Sequence, residues 1–221
     1  AIAVMQFKVE AQLYHKHPEW KMEERDLLSH IDYKTGTITL EGNTYQMKSC
    51  HFPTIDPANP TKLTEEEEAL MHLSAMLAHG CMYGIYNGNL LFHASVPLNE
   101  DGTLKEVEIR PGHKCSGRAL MSDIGMQIRS AFQNDTPKEE REYAVDYFLY
   151  LWCGPNSPLF DKSKMATFER YFINEKETHH ETKGNFFTLR DREDICDSIM
   201  DAFGITDPNR HIINGHVPVH V

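Results

Sequence analysis

Residues 82–94, MYGIYNGNLLFHA, carry the clearest secondary-structure signal in the chain. Aromatic and aliphatic residues flank Asn87 and Gly88, and this dipeptide favours the two-residue turn of a β-hairpin because both positions tolerate a positive φ. The pattern therefore predicts two antiparallel strands, residues 82–86 and 90–94. It also places His93 near the far end of the second strand.

The sequence on either side of this hairpin predicts alternating helices and short strands. Thr64 and Glu67 have the spacing of a capping box, so a helix is expected to begin there. A segment with three prolines, residues 49–63, is expected to be irregular. Apolar periodicity predicts helices over residues 2–17, 18–30, 64–78, 117–132, 138–152, 162–172 and 192–203, a second hairpin over 37–47, and strands near 107 and over 211–214. These elements give a mixed α/β (α+β) fold class.

The composition is that of a globular protein and excludes several classes of function. Of 221 residues, 33 are acidic and 22 are basic, which gives a formal charge of −11 and argues against nucleic acid as a partner. The sequence has no apolar run of the roughly 18 residues that a membrane span requires. The five cysteines are scattered without a CxxC pair, which indicates reduced thiols in a cytoplasmic protein.

Both ends of the chain have the character of internal sequence. Ala1 leads directly into a helical pattern without a capping signal, and Val221 follows a strand-like run. We therefore expect the chain to be an internal fragment.

Two histidines occupy positions at which ligands often lie. His93 is at the end of one apolar strand, and His216 follows Gly215 just beyond another. Loops at strand ends converge on one rim in layered α/β proteins, so such residues are candidate metal ligands. A lone histidine at a strand end is more often a structural residue than a ligand, so position alone favours the structural interpretation.

Longer segments resemble one family in the order in which they occur. They are NGNLLFH (residues 87–93), YLWCGPNSPLF (150–160), KMATFERYF (164–172) and HIINGHVPV (211–219), with further similarity at 52–57 and 97–102. Together they resemble the class III, Firmicutes-type fructose-1,6-bisphosphatases of the calcineurin-like metallophosphoesterase superfamily. The resemblance covers nearly the whole chain.

This resemblance implies a layered αββα sandwich and a two-metal phosphatase. Paired divalent cations, Mn²⁺ first among them, would clamp the phosphate of a small phosphorylated sugar. His93 and His216 match the two later metal-binding histidines of the superfamily. The earlier DxH, GDxxDxxG and GNH[ED] motifs do not occur in this sequence. The resemblance therefore implies that most ligands lie upstream and that the fragment alone is inactive.

The matched segments also suggest residues around the substrate. Asn214 is a candidate for orienting the His216 loop, although capping of the strand is an alternative. Two positions depart from the family pattern, because Ala94 and Asp161 stand where glycine is expected. The candidate phosphate contacts are Lys162, Lys164, Arg170 and Lys183, and each of them has solvation on a helix flank as its alternative.

The expected organisation is a helix over residues 1–18, an insertion over 19–63 with a hairpin and a proline-rich loop, and the phosphoesterase segment over 64–221. The expected activity of the complete protein is hydrolysis of fructose 1,6-bisphosphate, with a homo-oligomer possible. Two alternatives remain: a phosphatase of the same fold acting on another phosphomonoester, and a truncated interaction module without catalysis.

Overall fold

The structure, a computed structural model, describes residues 2–52, 54–64, 80–133 and 135–216. These residues form the α-helices α1 (Ile2–Lys16), α2 (Gly117–Ser130), α3 (Lys138–Cys153), α4 (Thr167–Phe172), α5 (Phe186–Leu189) and α6 (Glu193–Ala202). They form the strands β1 (Ile31–Asp32), β2 (Thr37–Leu40), β3 (Asn43–Gln46), β4 (Tyr83–Tyr86), β5 (Asn89–Phe92), β6 (Val107–Arg110), β7 (His113–Cys115) and β8 (Ile212–Asn214). Short 3₁₀ helices cover Pro18–Trp20, Glu23–Arg25, Leu27–His30 and Lys176–His179.

The chain forms two compact units. The first unit is Ala1–Leu73 with Lys164–Thr182, and the second is Ser74–Ser163 with Lys183–Val221. The domain boundaries expected from the sequence, after residues 18 and 63, stay a prediction.

The first unit is built on an antiparallel sheet in the order β1-β2-β3. Its β2–β3 hairpin is the one expected over residues 37–47, and Glu41 and Gly42 make the turn with φ values of 49° and 79°. The sheet packs with α1 and α4 around an apolar core. That core consists of Phe7, Leu27, Leu28, Ile31, Ile38, Met47, Phe52, Phe168 and Ile173.

A buried ion-pair network crosses the first unit. Arg25 lies between two carboxylates, with Nε 2.9 Å from Glu10 Oε2 and Nη1 3.0 Å from Glu169 Oε1. All three side chains are buried, and Arg25 also donates to the backbone oxygen of Met165. The network joins α1 to the segment that carries α4.

The second unit contains the hairpin predicted from residues 82–94. Asn87 and Gly88 have φ values of 49° and 73°, as this type of turn requires, and join β4 to β5. Strand β8 adds to the other side of β5 in parallel, which gives the order β4-β5-β8. Strands β6 and β7 form a separate antiparallel pair, and α2 packs against α3. This parallel pairing matters for the site because the two strands end at the same edge of the sheet.

The continuous helix predicted over residues 18–30 is wrong. The segment forms three short 3₁₀ turns instead, and Lys21 adopts the left-handed conformation that ends the first of them. The breaks allow Trp20, Arg25 and Leu27 all to be buried, which the face of one straight helix would not permit. Tertiary packing outweighs the local periodicity here.

Other predicted boundaries differ less. The helix expected over 162–172 begins only at Thr167, because Lys162 instead makes a β-bridge with Lys183. Strand β7 was not predicted. A helix is also expected over 64–78, but residues 65–78 lie outside the described residues.

The observed mixture of helices and small sheets confirms the α+β class, whereas the layered sandwich stays a prediction. Among the described helices, none has both the length and the apolar character needed to cross a bilayer.

Candidate metal centre

His93 and His216 are brought together by the pairing of β5 with β8. Phe92 is the register partner of Asn214, so the residues that follow the two strands leave the sheet side by side. The amide of Gly215 donates to the backbone oxygen of His93 at 2.9 Å. Two residues 123 positions apart in sequence therefore occupy one edge of one sheet.

The two imidazole rings face each other through nitrogen atoms. His93 Nε2 lies 3.0 Å from His216 Nδ1, and the rings meet edge to face with centroids 4.9 Å apart. Both residues are exposed, so an ion or a substrate can reach the nitrogens from solvent.

The conformation and charge state of His216 suit a ligand. Its φ of 67° is left-handed, and this turns the residue out of the strand direction immediately after Gly215. Partial desolvation of its ring lowers the pKa of His216, although the residue as a whole is exposed, and the charges of His93 and Lys162 lower it further. The neutral imidazole, which keeps a lone pair for a metal ion, is therefore favoured.

The separation of the nitrogens fits a shared divalent ion. Two nitrogens bound at about 2.1 Å to one ion, with a right angle between the bonds, lie about 3 Å apart. Imidazole ligands suit Mn²⁺, Fe²⁺ and Zn²⁺ alike, so these two residues do not select the metal. Among the described residues, no further histidine, cysteine or carboxylate completes a group of three with them. His93 and His216 would therefore supply only part of the coordination shell.

Asn214 connects the two loops that carry the histidines. Its Nδ2 donates to the backbone oxygen of Ala94 at 3.0 Å, so the end of β8 is tied to the residue after His93. This contact is the kind that would fix the relative position of the two rings.

Lys162 and Lys183 lie in the same unit as the histidine pair. Their backbones form an antiparallel bridge, and the Lys162 ammonium lies 5.8 Å from the centroid of the Phe160 ring. The Lys162 charge also contributes to the lowered pKa of His216. Of the four predicted phosphate contacts, Lys162 is thus the one whose charge acts on the candidate metal centre.

Lys164 and Arg170 belong to the first unit and pair with carboxylates there. Lys164 Nζ lies 3.2 Å from Glu169 Oε1, and Arg170 Nη1 lies 2.9 Å from Glu181 Oε1. Their predicted roles as phosphate contacts remain predictions.

Asp161, which stands where the family pattern predicts glycine, is an unfavourable residue for its position. Its φ is 47°, a conformation that glycine adopts without strain, and its side chain is buried against the α-carbon of Gly184. Oδ2 meets no hydrogen-bond donor among the described residues. Burial raises the pKa of Asp161, and the Ser95 hydroxyl and the Lys105 charge offset only part of that rise.

We therefore expect Asp161→Gly to raise the free energy of unfolding by about 1 kcal/mol, because it removes both the left-handed strain and a buried charge. The gain should shrink as the pH falls through the raised pKa of the folded state and vanish below 3.8, the ordinary pKa of aspartate, since the carboxyl is neutral in both states only there. Urea denaturation at two pH values measures both effects. A destabilised Asp161→Gly variant would show that the carboxylate has a favourable partner.

Sequence reasoning missed a second group of polar side chains in the second unit. His113 Nε2 lies 2.8 Å from Asp123 Oδ2, and the sulfur of Cys115 lies within 4.8 Å of the ligand atoms of both. The available signal was the spacing of His113 and Cys115, which are two residues apart and therefore lie on one face of a short strand. Strand β7 is too short for its periodicity to be recognised.

Comparison with known proteins gives one consistent family. The sequence model of the family described as Firmicute fructose-1,6-bisphosphatase matches residues 1–221. Proteins named fructose-1,6-bisphosphatase class 3 from Phocaeicola vulgatus, Parabacteroides distasonis and Clostridium acetobutylicum are 48%, 49% and 44% identical to this chain, over 99% of its length in each case. The chain covers only 35% of the length of each of these relatives. No solved structure matches the chain.

Proposed function

Because this chain belongs to the Firmicute fructose-1,6-bisphosphatase family, we propose that it forms part of an enzyme that hydrolyses fructose 1,6-bisphosphate to fructose 6-phosphate and phosphate. The observation that carries the proposal is the pair of facing histidine nitrogens, 3.0 Å apart at one sheet edge. The reaction belongs to gluconeogenesis. Free cysteines throughout the chain suit a cytoplasmic location.

In this proposal, His93 and His216 hold one divalent cation, with Mn²⁺ as the first candidate. When bound, the cation supplies Lewis-acid stabilisation of the charge that develops on the phosphoryl oxygens. The protein contributes the fixed position of the two nitrogens. The β5–β8 pairing, the Gly215 amide and the Asn214 side chain hold them in place.

Lys162 is proposed to bind a phosphate oxygen of the substrate. An ammonium group acts as a point charge toward phosphate, and the charge of Lys162 already reaches the ring of His216. Lys183 is bridged to it through the backbone and extends the same cationic surface. In a chain of formal charge −11, local cations of this kind are needed to attract a doubly phosphorylated sugar.

The first test is Mn²⁺-dependent phosphate release from fructose 1,6-bisphosphate. It compares this chain with the extended protein, a version that continues upstream through the expected GNH motif. We expect turnover in the extended protein and none in the chain alone. The absence of phosphate release from both proteins would overturn the proposal and favour an interaction module. A higher kcat/KM for another sugar phosphate would overturn the proposed substrate.

In the extended protein, Lys162→Ala is expected to raise the KM for fructose 1,6-bisphosphate about tenfold while changing kcat less, because a charge-assisted contact to phosphate is worth about 1.5 kcal/mol. Steady-state kinetics measure the two constants separately. The matched control is Lys114→Ala, since the Lys114 ammonium is exposed and lies 3.9 Å from Glu108. An unchanged KM in Lys162→Ala would show that Lys162 does not bind the substrate.

A further inference from the structure

We propose that His113, Cys115 and Asp123 form a second metal site, one that takes a single Zn²⁺ ion. This site is separate from the candidate metal centre and does not depend on the proposed function. The imidazole nitrogen, the thiol sulfur and a carboxylate oxygen all lie within 4.8 Å of one another. Among the described residues, this is the one group of three such side chains that is close enough to share an ion.

The secondary structure explains why the three side chains meet. Strand β7 places His113 and Cys115 two positions apart, so their side chains leave the same face. Asp123 lies on α2, three residues after buried Leu120 and four before buried Gln127, which is the face that packs toward the strands. Two of the ligands therefore come from one strand and the third from the helix that covers it.

The geometry requires side-chain movements of about 1 Å or less to accept zinc. Ligand atoms around a tetrahedral Zn²⁺ ion lie about 3.3–3.7 Å apart, given bonds of about 2.0 Å to nitrogen and oxygen and about 2.3 Å to sulfur. His113 Nε2 and Asp123 Oδ2, now 2.8 Å apart, would separate by about half an ångström. On binding, the thiol proton of Cys115 passes to solvent, and the sulfur binds as thiolate.

The surroundings supply access and a fourth ligand. A cavity of about 330 Å³ opens beside the group and is lined by His113, Asp123 and Glu140. A water molecule in this cavity would complete the four-coordinate shell. Arg110 also lines the cavity and opposes a cation, but the carboxylates of Asp123 and Glu140 outnumber it.

A set of one nitrogen, one sulfur and one oxygen donor indicates a particular class of metal. Thiolate and imidazole favour Zn²⁺ over Mg²⁺, Ca²⁺ and Mn²⁺, which prefer oxygen ligands. A hydrogen-bonded His–Asp pair beside a thiol is the alternative to a metal site. The two differ in whether the thiol becomes a thiolate that is bound to an added ion.

The test is a titration of the full chain with Co²⁺, which reports a bound thiolate as a near-ultraviolet charge-transfer absorption, followed by competition with Zn²⁺. The band should appear in the unaltered chain and be displaced by Zn²⁺. It should be lost in Cys115→Ser and kept in the matched control Cys81→Ser, whose thiol is exposed. It should also persist when His93 and His216 are both replaced by alanine.

The absence of the band from the unaltered chain, or its survival in Cys115→Ser, would overturn the proposal. Two further variants cover the case in which Cys115→Ser does not fold. Asp123→Asn and His113→Gln keep the thiol and should weaken Zn²⁺ binding at least tenfold, as judged by competition with a chromogenic chelator. An unchanged Zn²⁺ affinity in both Asp123→Asn and His113→Gln would also overturn the proposal.

Discussion

Replacing His216 with alanine in the extended protein is expected to lower kcat/KM for fructose 1,6-bisphosphate about 10³-fold, a loss of about 4 kcal/mol of transition-state stabilisation. The physical reason is that the variant removes one of the two nitrogens that face each other 3.0 Å apart. An ion held by His93 alone would be bound more weakly and placed less accurately. Steady-state kinetics at saturating Mn²⁺ give the catalytic loss, and a Mn²⁺ titration gives the loss of affinity.

His211→Ala is the matched control for this prediction. His211 is an exposed histidine in the same unit, five residues before His216, and its ring contacts Asn89 rather than His93. We expect its activity to remain within about twofold of the unaltered protein, as is usual for an exposed substitution that removes no ligand. A His216→Ala variant that is as active as His211→Ala would rule out a metal-binding role for His216.

Replacing Arg25 with methionine is expected to lower the free energy of unfolding by about 3–5 kcal/mol. The substitution removes the central cation between the carboxylates of Glu10 and Glu169, which are each only 1% exposed; Glu169 keeps its contact with Lys164. Urea denaturation measures the change. Trp20 lies buried in the same unit and reports its unfolding by fluorescence when Trp152, in the other unit, is replaced by phenylalanine.

Two further variants distinguish a buried network from an ordinary surface ion pair. Arg192→Met breaks an exposed pair with Asp194 in the second unit, and we expect it to cost less than about 1 kcal/mol. Its unfolding is followed by the fluorescence of Trp152, which lies in the same unit, with Trp20 replaced by phenylalanine. Adding Glu10→Gln to Arg25→Met removes the buried carboxylate that has lost its cation and should recover part of the lost stability. Equal losses in Arg25→Met and Arg192→Met would contradict the proposed role of burial.

Local turn chemistry made the hairpins predictable. Asn87 and Gly88 both adopt positive φ, and the strands on either side follow from that turn. The segment 18–30 was not predictable by periodicity, since burial of Arg25 and Leu27 depends on contacts with distant parts of the first unit. Local sequence patterns therefore predict backbone conformation correctly where a short turn, such as Asn87-Gly88, determines it.

The candidate metal centre was only partly predictable. The sequence placed His93 and His216 at the ends of strands, and the family resemblance joined them in one site. The parallel pairing of β5 and β8, which sets the two nitrogens side by side, has no local signal in either strand. The group of His113, Cys115 and Asp123 was missed for the same reason, because its third member comes from a helix whose packing the sequence does not specify.

The most direct test of the shared ion is a crystal structure of the extended protein grown with Mn²⁺, with anomalous scattering used to locate the metal. We expect an anomalous peak within bonding distance of both His93 Nε2 and His216 Nδ1, with the two rings no longer hydrogen-bonded to each other. A Mn²⁺ peak elsewhere in the molecule, with the two nitrogens still 3.0 Å apart and no ion between them, would contradict this assignment.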